Sequence, residues 1–487
     1  MFVTVSVFVL GKQGDVARLA RLGAVALFAF APLFAEAQTV VVGANDPAVD
    51  LPAVQAAVNG GGRVILKGTF DFGSAGRVII KNDVDIGGEI DVHDTPVTTI
   101  GGGEWSFHTP YPTQMPPPVA GPKVAVHDLH FVGARGTAIH LAYCGGAELR
   151  NNLIHQMRPR QTGATSERAA IVVGPAILGN LPGKTLPNSS FADLLISGDI
   201  VIADNRIDVS VDPSATPTET TTTMRSTGMF VSMYKGADVR IERNFVTGNT
   251  RTGLAILDGD FDTAGRGSVL IAGNTISSDV HIGFTQGAGP RAPIGIVTGF
   301  NNQRPIGADP RRAMIPVQIT DNAIELNGVT SMGIINIWNG AVLTRNRISV
   351  HSDIAVVTDR LSTSGGILAT ASNQILTHNR IEGEGCNAIR YGGTTDGQER
   401  FGSVSKANNV AHFSPFEGGF DKCAIFWLEP ASHDNVVVGD SGSAIDEGIN
   451  NKVTGLQPVS GGVGQAVSAA VHTAAERTEE LATFGFE

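Results

Sequence analysis

From about residue 150 to residue 455 the chain repeats one pattern of apolar and polar positions: an aliphatic residue, any residue, an aliphatic residue, two polar residues, asparagine, any residue, an aliphatic residue. Val239, Ile241, Asn244 and Val246 form one copy, and Val317, Ile319, Asn322 and Ile324 another. Alternation at period two on each side of the asparagine predicts two short strands joined by a sharp corner. The asparagines are Asn152, Asn205, Asn244, Asn274, Asn322, Asn346, Asn379, Asn408, Asn435 and Asn451, and Asp128 is read as holding the same place earlier. Their spacing runs from 16 to 53 residues. A fixed motif at elastic spacing predicts stacked coils whose loops absorb the insertions.

A third short β-rich run follows most of the asparagines, often opened by glycine. Examples are Ala138–Leu141, Ala255–Asp258, Gly295–Thr298, Asn336–Asn339, Gly366–Ala369, Ala388–Tyr391 and Ala424–Trp427. Three strands per turn predict a three-sided coil with aliphatic side chains turned inward. Asparagine suits the corner because it tolerates left-handed backbone angles and its amide can bond to the next coil in a ladder. A leucine-rich repeat shares part of this pattern. The Ile/Val-rich strands, the long gaps and the third run speak against it.

With these residues the chain resembles the right-handed parallel β-helix, or pectin-lyase-like, proteins over roughly residues 45–455. The start matches as well: Leu51–Val58 reads as a short helix, and Gly60–Phe70 follows as the glycine-rich first strand. The resemblance implies an all-β, single-stranded right-handed parallel β-helix over residues 38–458. A capping helix would lie within about 45–63 and a C-terminal helical tail within 459–487. It further implies that a polysaccharide lies along the face of the third strand. Long insertions at 208–227, 258–268, 277–293, 299–316, 349–365 and 391–403 would wall a groove there.

Composition adds a compartment. Lys12, Arg18 and Arg21 precede the apolar stretch Leu22–Phe34, and Ala35-Glu36-Ala37 has the form of a cleavage site, so residues 1–37 read as an export signal. Charged residues are 17%, below the roughly 25% of an average soluble domain, and the net charge is −11 with no basic block, which argues against nucleic acid. After residue 37 no run of 18 uninterrupted apolar residues occurs, so no transmembrane segment is expected in the mature chain. Cys386 and Cys423 fall at equivalent places in consecutive repeats, where either a bridge or two stacked thiols fits; Cys144 stands apart.

Candidate chemistry follows from the outward positions of the third run, read as His140, Ser232, Leu257, Val297, Trp338, Leu368, Arg390 and Phe426. Trp338, Tyr391, Phe426 and Trp427 offer flat surfaces for sugars, with His140, Arg311 and Arg312 as polar substrate contacts. Asp258, Asp260 and Asp262 alternate in one loop and suit Ca²⁺. A uronate lyase needs a base and a cation to hold enolate charge, roles open to Asp258 or Asp260 with Arg390 or Arg311. A glycoside hydrolase needs two carboxyl groups, for which Asp258, Asp260, Asp359 and Glu429 are candidates. The alternative is a non-catalytic carbohydrate-binding or cell-surface scaffold protein. The polygalacturonase, pectate-lyase and mannuronan-epimerase motifs are absent.

Overall fold

The computed structural model describes residues 38–113, 119–158, 167–174, 196, 198–210, 225–232, 236–248, 252–257, 266–279, 293–299, 316–328, 331–352, 364–392, 400–416, 423–430, 432–439 and 442–458. Residues 1–37, read above as an export signal, the C-terminal residues 459–487 and most of the long insertions fall outside them.

Each coil contributes one strand to each of three parallel sheets. Among the described residues the strands before the asparagine corner form a 14-stranded sheet, those after it an 11-stranded sheet, and the third runs a 13-stranded sheet. We call these the pre-corner, post-corner and third sheets. All three stack in chain order, so every strand pairs with the equivalent strand one coil away. The result is a right-handed parallel β-helix, the hand that parallel crossovers take. No helix among the described residues is long and apolar enough to cross a membrane.

The helix Pro47–Gly60 sits at the N-terminal end. Asp46 caps it by accepting from the Ala48 N–H, and Pro47 occupies its first turn. Its buried Asp50 carboxylate accepts from the backbone N–H groups of Ala44, Asp46 and Asp71, which ties the helix to the first coil. Val54 and Val58 close the end of the aliphatic core.

The corners explain the asparagines. In eight successive coils, Asn152 through Asn408, each Oδ1 accepts from the backbone N–H of the residue at the same place in the coil before. Each Nδ2 donates to a backbone carbonyl; Asn244, for example, bonds Asn274 and the Ile202 carbonyl. The residue just before each one adopts a left-handed conformation: Asn151, Asp204, Arg243, Gly273, Asp321, Arg345, His378 and Ala407.

Three of the residues assigned to this corner stand elsewhere. Asp128 has φ of 59° and aligns with Asn151, so Leu129 takes the ladder place, its N–H donating to Asn152. Asn435 and Asn451 precede pre-corner strands rather than follow them. Asn435 accepts from the Ser403 N–H, and the Gln374 N–H donates to the Ser403 hydroxyl, so they build a second ladder at the opposite end of that sheet. Both corners use a left-handed residue followed by a side-chain acceptor, which is why the sequence pattern merges them.

Glycine opens the third strands for a steric reason. Gly228, Gly253, Gly295, Gly333 and Gly366 stack coil on coil. A Cβ on Gly295 would lie 2.5 Å from the Gly333 carbonyl oxygen and 2.6 Å from an Ile324 methyl. The inward aliphatic residue of the post-corner strand fills the space that a side chain would need.

Candidate functional site

Register on the third sheet decides which side chains face outward. Strand pairing places His108, His140, Val172, Phe230, Ala255, Val297, Ile335, Leu368, Arg390 and Trp427 in one outward column. The inward column beside it holds Ile389 and Phe426, which are register partners. Phe426 therefore points into the core, 1% exposed, and its neighbour Trp427 turns to the outer side of the sheet above Arg390, where it too is covered, at 6% exposed. Aligning Phe426 with Arg390 slips the register by one residue, and one residue exchanges the two faces.

Two more expected platforms are interior. Tyr391 pairs with Ala369 and Leu428 in the next inward column, where the small Ala369 side chain leaves room for its ring. Burial pushes the Tyr391 phenol well above its usual range. Trp338 follows the strand Met332–Asn336 rather than lying within it, and packs into the core. None of the three presents a ring to a ligand. Asp258, Asp260, Asp262, Arg311, Arg312 and Asp359 lie outside the described residues. Among the described residues no group of three or more His, Cys, Asp or Glu side chains is placed to hold a metal ion.

The middle of the outward face is apolar and buried. Ala169, Val172, Phe230, Ala255, Leu257, Ile294, Val297, Met332 and Ile335 form a second hydrophobic cluster, with Ile337 and Leu368 packed against it. Charge and aromatic rings gather at the two ends of this face. His140 and Arg390 stand seven coils apart, roughly 34 Å at the spacing of parallel strands.

At the N-terminal end, the rings of His108 and His140 stack at 5.0 Å, with their Nδ1 atoms 3.0 Å apart. Trp105 packs against both rings, and Arg77 lies 4.5 Å over the indole while pairing with Glu104. Trp105 has φ of 55°, a strained conformation for a bulky residue. Burial lowers the His108 pKa to about 4, so His108 is neutral near pH 7.

At the C-terminal end Arg390 donates through Nε to the Glu429 carboxylate, and its guanidinium stacks 4.4 Å from the Trp427 ring. Trp427 donates through its indole N–H to Glu447 at 3.1 Å. Glu429 is nearly buried, whereas Glu447 is exposed. Leu428 and Asp446 are register partners, so Glu429 and Glu447 stand one coil apart on the same side. Gly392 makes room for this arrangement: a Cβ there would meet the Glu429 side chain at 2.7 Å, and its φ of 112° also favours glycine. Just upstream, Cys386 and Cys423, set side by side by the pairing of Asn387 with Ala424, are joined in a disulfide across two coils.

The sequence points to Arg390 and lists Glu429 among carboxylate candidates. It names Trp427 as a flat surface but not as the partner of Arg390, and it misses Glu447. The strand alignment of Ile389 with Phe426 would have found the first, and that of Leu428 with Asp446 the second.

No family model and no curated protein matches the chain. Among solved structures, PfbA, a surface adhesin of Streptococcus pneumoniae, is similar at 12% identity, with a TM-score of 0.43 and 86% of this chain and 92% of that one covered. The Azotobacter vinelandii mannuronan C-5 epimerase AlgE6 A-module has 12% identity and a TM-score of 0.32, over 84% and 95% of the two chains. A mannuronic acid specific polysaccharide family 6 lyase from human gut microbiota has 10% identity and a TM-score of 0.33, over 87% and 90%.

Proposed function

We propose that this is an exported protein that acts on a polysaccharide at the C-terminal end of the third sheet, around Arg390, Trp427, Glu429 and Glu447. The observation that carries the reading is the guanidinium of Arg390 held between the Glu429 carboxylate and the Trp427 ring on an outward face. Trp427 is 6% exposed with Arg390 over its ring, so what the cluster opens to a sugar is the exposed Glu447 at the indole edge, and a carboxylate so placed can move protons at a glycosidic bond. Two carboxylate side chains one coil apart, Glu429 and Glu447, are the kind of pair a glycoside hydrolase needs. The disulfide fits an oxidising compartment and so supports export.

β-Elimination on a uronate is the second reading, and Arg390 as a cation on this face favours it. It requires the guanidinium to leave Glu429 for the substrate carboxylate. Calcium at Asp258, Asp260 and Asp262 would serve that reaction and belongs to the same proposal.

The test is a screen of the purified protein on neutral and uronate-containing polysaccharides, with and without calcium. New reducing ends without ultraviolet absorbance of an unsaturated sugar indicate hydrolysis, and the absorbance indicates elimination. Binding without either product supports a scaffold protein. In the hydrolysis reading Glu429→Gln lowers turnover at least about a hundredfold. Unchanged turnover removes Glu429 from the chemistry.

A further inference from the structure

Two histidines on the post-corner sheet form a pair that the polysaccharide chemistry does not use. His130 lies in the strand Leu129–Val132 and His155 in the strand Leu153–His155 of the next coil. Leu129, Phe131 and Ile154 turn into the core, so period two sends both histidines outward, where they are half-buried. His130 is the register partner of Leu153, and His155 of Val132, so the two rings meet on the diagonal. Their facing nitrogens, Nε2 of His130 and Nδ1 of His155, are 3.0 Å apart.

Ring geometry distinguishes a plain hydrogen bond from a chelating pair. A straight N–H···N bond of this length would put the ring centroids about 5.3 Å apart, whereas they stand 4.6 Å apart with their planes turned by 53°. An ion about 2.05 Å from both nitrogens subtends roughly 94° between them and sets the centroids about 4.7 Å apart. The two rings are thus disposed as ligands of one ion. His108 and His140, which are direct register partners, are the contrast: their rings are parallel within 4°, so the in-plane lone pairs do not converge. Burial, with His155 adding to it, lowers the His130 pKa to about 4. The ring is therefore neutral near pH 7 and keeps a lone pair for a cation. Ile154 pairs with Ile207, which places Asp208 one coil beyond His155 on the same side. The Asp208 carboxylate, which accepts from the Ser210 N–H, adds negative charge beside the pair.

We propose that His130 and His155 chelate a divalent first-row transition-metal ion through Nε2 and Nδ1, with water completing its coordination. In the complex each ring carries its proton on the far nitrogen, Nδ1 of His130 and Nε2 of His155. Among the described residues no third His, Cys, Asp or Glu is placed to join them. An angle of about 90° is that of tetragonal Cu²⁺ or Ni²⁺ and is narrower than the tetrahedral angle of Zn²⁺, so Cu²⁺, the strongest binder of the series, is the expected ion. The site lies on a different sheet from Arg390 and does not depend on what that cluster binds.

The test is titration of the full chain with Cu²⁺ at neutral pH, followed by calorimetry and electron paramagnetic resonance. The expected result is one equivalent of Cu²⁺ with the nitrogen hyperfine splitting of two imidazoles. His130→Ala and His155→Ala should each weaken that equivalent at least about tenfold, the least that loss of a direct ligand should cost. His93→Ala, at an exposed histidine elsewhere, should leave it unchanged. Cu²⁺ should also raise the melting temperature of the wild type and not of either ligand variant. Melting of the metal-free variants shows that they fold, and His130→Leu, which keeps bulk, replaces any alanine variant that does not. Absence of a two-nitrogen equivalent from the wild type, or its retention in either ligand variant, overturns the chelate.

Discussion

At the scale of single residues, the Arg390–Glu429 pair carries the largest electrostatic consequence. Both side chains are mostly withdrawn from water, 12% and 4% exposed. Removing one partner leaves the other charge buried. Glu429→Leu is therefore expected to lower stability in urea titration by about 3–5 kcal/mol. Arg390→Met combined with Glu429→Leu should recover most of that loss. A double variant as unstable as the single one would show that the pair is not the source. Gly392→Ala should lower turnover and oligosaccharide affinity together, because its Cβ displaces the Glu429 side chain.

The histidines give a pH dependence of definite sign. Burial lowers His108 to about 4, and burial also lowers His130, beside His155, to about 4. Both ordinarily titrate near 6.5, so between about pH 6.5 and pH 4 the unfolded chain binds more protons than the folded one. Their contribution is complete above pH 6.5 and is lost as the pH falls through 4. For His108 it amounts to about 3 kcal/mol, and for the half-exposed His130 to less. Thermal unfolding of His108→Gln should show a shallower fall over that range than the wild type. Parallel curves would mean that His108 does not contribute.

At the scale of the element, the corner ladder is the structural device. Asn274 accepts from the Asn244 backbone N–H and side-chain amide and donates to the Ile241 carbonyl. Asn274→Leu keeps the volume and leaves those buried groups without their bonds, an expected loss of about 3 kcal/mol or more. The disulfide closes a sequence separation of 37 residues. Replacing both cysteines by serine should cost about 3–4 kcal/mol through the entropy of the unfolded chain. A reducing agent should lower the melting temperature of the wild type and not of that variant.

The same corners show what the sequence makes legible. Eight asparagines, the three strands and the capping helix follow from apolar periodicity and corner chemistry, because burial and backbone satisfaction act locally at each coil. The second ladder of Asn435 and Asn451 escapes, since both corners present the same left-handed residue and the same acceptor. Phe426 and Trp338 escape for another reason. Which residue of an Ala-Ile-Phe-Trp run pairs with Arg390 is set by contact with the neighbouring coil, and a slip of one or a few positions costs nothing in the one-dimensional pattern. Arg390 is found as the one cation in a run of aliphatic residues. Its partners Glu429 and Trp427 lie 39 and 37 positions away and become visible only through register.

At the scale of the whole molecule, the third sheet divides into three zones. An N-terminal aromatic and histidine cluster is followed by a buried apolar middle, and the charged C-terminal end comes last. A groove polar along its full length is not what the described residues form. The chemistry is concentrated in a few coils, and the stack beneath supplies rigidity, each coil resting on neighbours through three sheets. A crystal structure of the protein soaked with the oligosaccharide that binds best tests the proposed site most directly. The predicted result is a sugar ring against the exposed Glu447 at the edge of the Trp427 indole, with a glycosidic oxygen within reach of Glu447 or Glu429. Sugar bound against another sheet, with Glu447 untouched, would contradict it.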